Sequence, residues 1–131
     1  MKVDKSPSLL YLQDQGVMML NTDLTCKLNK TASHKKLWEP FQKFFLEEIM
    51  FGYTGIIYIL SGDESKRMKR YINPLGNYIF EIEHPVAASY AHRDWNHQNI
   101  FRKINRILKE NNNFSIEWDN KKYQELSKPP F

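Results

Sequence analysis

The sequence is poor in the residues that build covalent or metal-based frameworks. It contains a single cysteine, Cys26, which excludes both an intramolecular disulfide and a cysteine-based zinc cluster within one chain. A lone thiol is typical of a reducing compartment, so we predict an intracellular protein, cytoplasmic or nucleoid-associated, or nuclear in a eukaryote. The sequence also lacks a glycine-rich phosphate loop, a nucleophile elbow and an HExxH motif. The usual sequence signals for a phosphate-binding loop, a serine nucleophile or a catalytic zinc site are therefore absent.

Long apolar runs are missing as well. The first residues lack the apolar core of a signal peptide, and no run approaches the roughly 20 residues of a membrane span, so no membrane partner is expected. What remains is a chain of 131 residues, 41% of them hydrophobic, which suits one domain with one core. We predict a single domain over residues 1–131. The formal charge of +4 is compatible with nucleic acid as a partner, and equally with an ordinary soluble domain.

Short apolar segments alternate between strand-like and helix-like patterns. Runs of aliphatic and aromatic residues favour strands, whereas apolar residues three and four apart favour helices. Strands are predicted at residues 17–20, 56–60 and 78–82, and helices at residues 9–15, 37–50, 64–71 and 100–108. This alternation predicts an α/β domain with a mainly parallel sheet of about three strands and flanking helices.

The densest group of titratable residues follows the third predicted strand. Residues 84–101 include His84, His92 and His97 and are interpreted as beginning with a polar loop. Ligands of open α/β sheets bind at the carboxyl ends of strands, where Asn21 and His84 are expected to lie. An amide there could read a base edge, and an imidazole could stabilise a developing anion. Both side chains could instead make only local hydrogen bonds, and His92 and His97 fit a solvated loop better than a metal site.

A basic run at residues 66–70 offers a second candidate contact surface. Its cations, including Lys66 and Arg67, could bind phosphate groups of nucleic acid. A run of this kind is more often a solvated face.

Several motifs, taken in order, resemble family 1 uracil-DNA glycosylases. They are QGVMMLNTDLT at residues 15–25, SHK with WEPF at residues 33–41, ILSG at residues 59–62, HP at residues 84–85, AHR at residues 91–93 and SIEW at residues 115–118. Their order and approximate spacing agree with that family over nearly the whole chain. The resemblance implies that Asn21 reads uracil and that His84 stabilises the departing uracil anion. The family flips uracil out of the duplex and hydrolyses its glycosidic bond without metal or cofactor.

The chain also departs from the family, because the water-activating GQDPYH motif and the whole first half of the domain are absent. In the family the GQDPYH strand lies between the strands that correspond to residues 17–20 and 56–60. The resemblance therefore implies a partial sheet without its central strand. Either the two flanking strands pair directly, or a second polypeptide supplies the missing one. Unpaired buried backbone groups would cost about 1–3 kcal/mol each.

The segments that grip DNA in the family are altered too. Asp63 and Asp94 add negative charge that would repel a phosphate backbone. Direct counting places Ala88 where the family has a leucine wedge, but one extra residue before Ala91 makes Tyr90 the alternative. The residues predicted to contact DNA or a partner are Ser89, Tyr90, Arg93 and Trp95, together with Lys66 and Arg67.

Three hypotheses follow from this pattern. The favoured one is a uracil-DNA-glycosylase-like protein that is inactive alone and binds DNA or a protein partner, as a regulator or subunit of a replication, transcription or repair complex. The second is a fragment or split subunit that excises uracil when a second chain supplies the water-activating half. The third is a protein interaction module that does not bind DNA.

Overall fold

The computed structural model describes residues 8–127. In chain order the elements are α1 (Leu10–Gln13), α2 (Lys35–Phe44), a π-helical turn (Phe45–Ile49), β1 (Ile57–Ser61), α3 (Asp63–Lys66), a 3₁₀ helix (Arg67–Tyr71), β2 (Tyr78–Ile82), α4 (Pro85–Tyr90), α5 (Ile100–Asn112) and α6 (Asn120–Ser127). The mixed α/β architecture predicted from the sequence is confirmed. No helix in this part of the chain is long and apolar enough to cross a membrane.

The chain divides into two compact units. One unit contains the described residues up to Leu20 and those from Phe101 onward, and the other contains residues 21–100. The prediction of a single domain over residues 1–131 includes both units and extends beyond the described residues at either end. It stays a prediction.

The unit of residues 21–100 is built on two parallel strands. β1 and β2 pair in the register Ile57 with Tyr78 through Ser61 with Ile82, and α3 and the 3₁₀ helix connect them. Both strands lie within one residue of their predicted bounds, because each is a run of aliphatic and aromatic residues that a pleated surface accommodates. Within residues 8–127, β2 is the only partner of β1.

The third predicted strand, at residues 17–20, is not formed. The backbone there is irregular, and its start is held by the Val17 N–H, which donates to the Leu12 carbonyl at 3.0 Å. A strand needs a hydrogen-bonded neighbour, and the described residues provide none for this run. Three of its side chains, Met18, Met19 and Leu20, are accordingly exposed, Met18 by 67%. A cavity of about 700 Å³ lies beside the run, lined mainly by Leu9, Leu10, Val17, Met18 and Met19.

The longer predicted helices are confirmed. The helix predicted at residues 37–50 is formed up to residue 49, by α2 and the π-helical turn. Residues 64–71 fall in α3 and the 3₁₀ helix, and residues 100–108 in α5. Helix α1 is shorter than the predicted range of residues 9–15. Ser6 and Pro7, a pair typical of a helix start, lie outside the described residues. Two helices were not predicted: α4, inside the presumed loop after His84, and α6, in the polar tail.

Side-chain amides hold the other unit together. Asn105, on α5, donates to the Ile116 carbonyl and accepts from the Ile116 N–H, both at 2.9 Å. Gln15 grips Glu117 in the same way, at 3.0 and 2.8 Å. The Tyr11 hydroxyl donates to the Trp118 carbonyl at 2.8 Å. These bonds satisfy the backbone of an extended segment that has no neighbouring strand, and they fix it beside the buried Ile104 and Trp118 side chains.

Candidate nucleic-acid interface

The carboxyl ends of β1 and β2 bring Gly62 against His84. The Gly62 N–H donates to the Ile82 carbonyl at 3.0 Å, which extends the strand pairing by one residue. Gly62 has φ of 85°, in the left-handed region, and a Cβ at this position would lie 3.0 Å from the His84 Cβ. Only glycine meets both conditions without strain. The predicted position of His84 at a strand end is therefore confirmed.

His84 caps the helix that follows it. Its Nδ1 accepts a hydrogen bond from the Val86 N–H at 3.1 Å, and Pro85 occupies the first helical position. In the neutral ring this bond places the proton on Nε2, which becomes the donor of the ring. His84 thus makes a local hydrogen bond, as the sequence analysis allowed, but this bond engages only one of its two ring nitrogens. The other remains available to donate to a ligand that carries developing negative charge.

Asn21 begins a polar loop in the same unit, and its side chain is exposed. It makes no hydrogen bond to any other described residue, so it does not serve as a local cap. The loop after it is tied to the start of α2. There the Thr25 hydroxyl accepts from the Trp38 indole N–H at 2.8 Å and lies 2.8 Å from His34 Nδ1. No hydrogen bond joins Asn21 to His84 in the described part of the chain.

Glu83 organises the segment that follows α4. Its carboxylate accepts two hydrogen bonds from the Arg93 guanidinium and one from the Asn96 N–H, the last at 2.8 Å. Its carbonyl accepts from the Trp95 indole N–H at 2.9 Å. Trp95 is therefore half-buried and anchored, rather than an exposed side chain as its sequence context suggested.

The same contacts determine the charge state of Glu83. Hydrogen bonds from Arg93, and then from the Asn96 N–H, lower the pKa of Glu83 from 4.5 to about 2, and the nearby Lys66 charge acts in the same direction. The Glu83 carboxylate in turn raises the pKa of Arg93. A charge-assisted, two-pronged pair of this kind holds Arg93 in one orientation.

Helix α4 decides which residue stands at the wedge position. Ala88 is 2% exposed within this helix and cannot reach a ligand, whereas Tyr90, at its last position, is 82% exposed. The helix ends with His92 in the left-handed region, where the His92 N–H donates to the Ser89 carbonyl and the Arg93 N–H to the Ala88 carbonyl. This closing motif fixes Tyr90 at the surface. Of the two residues that the sequence offered, only Tyr90 is placed to contact a partner.

The basic run at residues 66–70 is largely neutralised. Arg67 lies 3.8 Å from Glu64, Lys69 lies 3.4 Å from Glu81, and Arg70 pairs with Glu39. Lys66 is the one cation of the run without an ion pair among the described residues. Exposed pairs of this kind hold their cations only weakly, so Lys66 and Arg67 remain candidate phosphate contacts.

Sequence reasoning missed Glu83 as a site residue. It noted Arg93 and Trp95 separately, but Glu83, which holds both, lies ten and twelve positions before them, across a helix that was not predicted. Part of the signal for that helix was present, since proline favours the first position of a helix and two alanines follow soon after it. In residues 8–127 no group of three or more histidine, cysteine or acidic side chains is arranged to hold a metal ion.

Comparisons with known proteins identify this arrangement. No protein-family model matches the chain. Uracil-DNA glycosylases of Yersinia pestis (strain Pestoides F) and Yersinia pseudotuberculosis (strain YPIII) are each 34% identical to it over 109 residues, which are 82% of this chain and 47% of each relative. The chain thus spans about half the length of the curated relatives it matches.

Solved structures agree with the sequence match. The crystal structure of mimivirus uracil-DNA glycosylase superposes with a TM-score of 0.69 at 26% identity, covering 80% of this chain and 44% of the other. A mimivirus UNG variant in complex with UGI superposes with a TM-score of 0.77 at 25% identity, covering 90% and 49%. In sequence and in fold, the chain is related to the uracil-DNA glycosylases and corresponds to about half of such a protein.

Proposed function

We propose that this chain does not release uracil on its own and binds single-stranded DNA, acting as a regulator or subunit of a complex that works on DNA. The single observation that supports the first part is the state of Glu83, the carboxylate next to His84. Both of its carboxylate oxygens accept hydrogen bonds, from Arg93 and from the Asn96 N–H. These bonds lower the pKa of Glu83, and a carboxylate held in this way is a weak general base. His84 can stabilise a leaving anion, but water activation needs a second group.

The binding part of the proposal rests on what the interface exposes. Tyr90 presents a nearly free aromatic ring, on which an unstacked base could stack. Ser89 is exposed beside it, and Lys66 is the unpaired cation of the described basic run. An exposed aromatic ring with scattered cations suits single-stranded nucleic acid better than a small molecule.

Two assays on the purified chain test the proposal. On a uracil-containing single-stranded oligonucleotide we expect no uracil release above background, together with DNA binding that weakens as salt rises. Tyr90→Ala should weaken binding by about 1–3 kcal/mol, the usual worth of one stacked base. Leu75→Ala removes another exposed apolar side chain and serves as the matched control. Steady uracil release that His84→Ala abolishes would refute the proposal of inactivity.

A second candidate function is a split glycosylase, favoured by the open edge of β1. Within the described residues β1 pairs on one side only, and the chain spans about half of its relatives. A second polypeptide carrying the GQDPYH half could add a strand to this edge and restore a water-activating group near His84. Under this proposal His84 is the catalytic residue and Asn21 the uracil-binding one.

Complementation distinguishes the two candidates. The chain is mixed with the part of the Yersinia pestis relative that it does not match, and uracil release is measured. Release that requires both polypeptides and disappears with His84→Ala would establish the split enzyme, whereas no release leaves the first candidate. If the chain alone binds no DNA even at low salt, the third hypothesis, an interaction module for proteins, takes precedence. The structural neighbour in complex with UGI supports a protein partner as that alternative.

A further inference from the structure

Glu83 fills a site with the geometry of a phosphate cradle. Arg93 Nη1 and the Asn96 N–H both donate to Oε1, at 2.6 and 2.8 Å, while Arg93 Nη2 donates to Oε2. Three donors thus converge on two oxygens that share one negative charge. A phosphate group presents the same pair of oxygens, and the planar guanidinium fork binds both anions in this bidentate way.

The surroundings of the cradle favour an anion that enters from solvent. The Arg93 side chain is 48% exposed and that of Glu83 is 23% exposed, so the pair lies at the surface. The charge of Lys66 also acts on Glu83, which adds a second cation to the neighbourhood. Tyr90, three residues before Arg93, is the exposed aromatic residue of the same segment.

We propose that Glu83 is a built-in competitor for phosphate, whose carboxylate occupies the cradle of Arg93 and Asn96 and must leave it before a phosphate group binds there. The inference rests on the proposed DNA binding for the identity of its ligand, a backbone phosphate of single-stranded DNA. It predicts that Glu83 weakens the affinity of the chain for DNA, and that removing the charge of Glu83 raises this affinity.

The test compares Glu83→Gln with a matched variant. Glutamine keeps an oxygen that can accept the Asn96 N–H, but it removes the charge. Glu81→Gln makes the same change two residues earlier, at a carboxylate that pairs with Lys69 at 3.4 Å and has no contact with Arg93. Both variants raise the net charge of the chain by one unit. A difference between their affinities for DNA therefore arises from the cradle and not from the overall charge.

Affinity for a labelled single-stranded oligonucleotide is measured over a range of salt concentrations. We expect Glu83→Gln to bind about tenfold more tightly than Glu81→Gln, and its plot of log affinity against log salt to steepen by about 0.7, as one added phosphate contact requires. The double variant Glu83→Gln with Arg93→Gln should lose this gain. Equal or weaker binding by Glu83→Gln overturns the inference.

A second measurement needs no substitution. In the unaltered chain, saturating oligonucleotide should shift the amide resonance of Asn96 and the guanidinium resonances of Arg93, since both would exchange a carboxylate for a phosphate. Binding that leaves these resonances in place would also overturn the inference. The resonance measurement remains decisive even if Glu83→Gln disorders the segment that follows α4. Such disorder would change the fluorescence emission of Trp95, which is anchored to the Glu83 carbonyl.

Binding of inorganic phosphate shows whether the cradle takes a free phosphate or only a phosphate of DNA. It also distinguishes failure of the cradle from failure of the proposed function. Phosphate binding to Glu83→Gln that depends on Arg93, with no DNA binding by any variant, would uphold the cradle and refute the proposed function. DNA binding by the unaltered chain, without a gain in Glu83→Gln, would uphold the function and refute the cradle. Failure of both ligands refutes both.

Discussion

At the scale of single residues, His84 is positioned by neighbours that have no chemical role of their own. Gly62 allows the ends of β1 and β2 to approach, and the Val86 N–H orients the imidazole ring. Glu83 then attaches the following segment to the same strand end. The chemistry of this site therefore depends on backbone geometry as much as on the titratable side chain.

Gly62→Ala should destabilise the chain and displace His84. Alanine at this position would have to adopt a positive φ, which lowers the free energy of unfolding by about 1–2 kcal/mol. Its Cβ would also lie 3.0 Å from the Cβ of His84. Gly52→Ala is the control, because Gly52 has no left-handed φ and no atom within 4 Å of the added Cβ. Urea unfolding of the two variants should differ by at least that amount. Equal stability would show that the close approach is not maintained in solution.

Glu83 should make the stability of the chain depend on pH in a defined window. Its folded pKa of about 2 lies below the ordinary 4.5, so its contribution is complete above pH 4.5 and is lost as the pH falls toward 2. The difference in unfolding free energy between the unaltered chain and Glu83→Gln should be largest near neutral pH and should shrink across that window. A difference that is constant from pH 7 to pH 2.5 would contradict this assignment.

At the scale of secondary-structure elements, the predictions succeeded where the partner of an element is close in sequence. β1 and β2 pair with each other across one short connection, so the apolar runs that predict them also form them. Residues 17–20 have the same apolar character, but the described chain provides no strand beside them. An apolar run in the sequence therefore indicates that a segment can form a strand, but not that a neighbouring strand is present to pair with it.

The functional site shows the same limit. The position of His84 followed from its place after a strand, whereas the contact of Glu83 with Arg93 required α4 to turn the chain back. Helix α4 has only six residues, too few to show a periodic pattern. The choice between Ala88 and Tyr90 depended on that helix, since only its geometry buries one and exposes the other.

Asn105 should contribute more to the stability of the chain than an exposed asparagine on the same helix. Asn105→Ala removes both hydrogen bonds to Ile116 and leaves a part-buried N–H and C=O without partners, which should cost about 1–3 kcal/mol. Asn112→Ala, an exposed asparagine at the last position of the same helix, is the matched control and should change stability by less than about 0.5 kcal/mol. Thermal unfolding compares the two, and equal effects would contradict the role of the amide clamp.

At the scale of the whole molecule, many large apolar side chains remain exposed. On α2 they form one face, with Leu37, Phe41 and Phe44 spaced four and three residues apart. Contiguous apolar surface on a chain of this size marks an interaction site or a tendency to self-associate. It agrees with a chain that spans about half of its relatives.

Substituting this face should improve solution behaviour at little cost in stability. Phe44 is 54% exposed, so Phe44→Gln should change the unfolding free energy by less than about 1 kcal/mol while reducing association at high concentration. Phe45→Gln affects a half-buried ring that stacks on Phe41, and it should cost about 1–3 kcal/mol. Sedimentation velocity and urea unfolding measure both effects. Unchanged association in Phe44→Gln would show that this face is not where copies meet.

The clamps of Gln15 and Tyr11 on residues 117 and 118 also bear on biosynthesis. They join positions 102 and 107 residues apart, so during translation the first segment waits until residue 118 has left the ribosome. The unit of residues 21–100 is complete earlier and can fold first. Closing such long loops is slow, and meanwhile the apolar residues 17–20 stay open to chaperones or to another nascent chain.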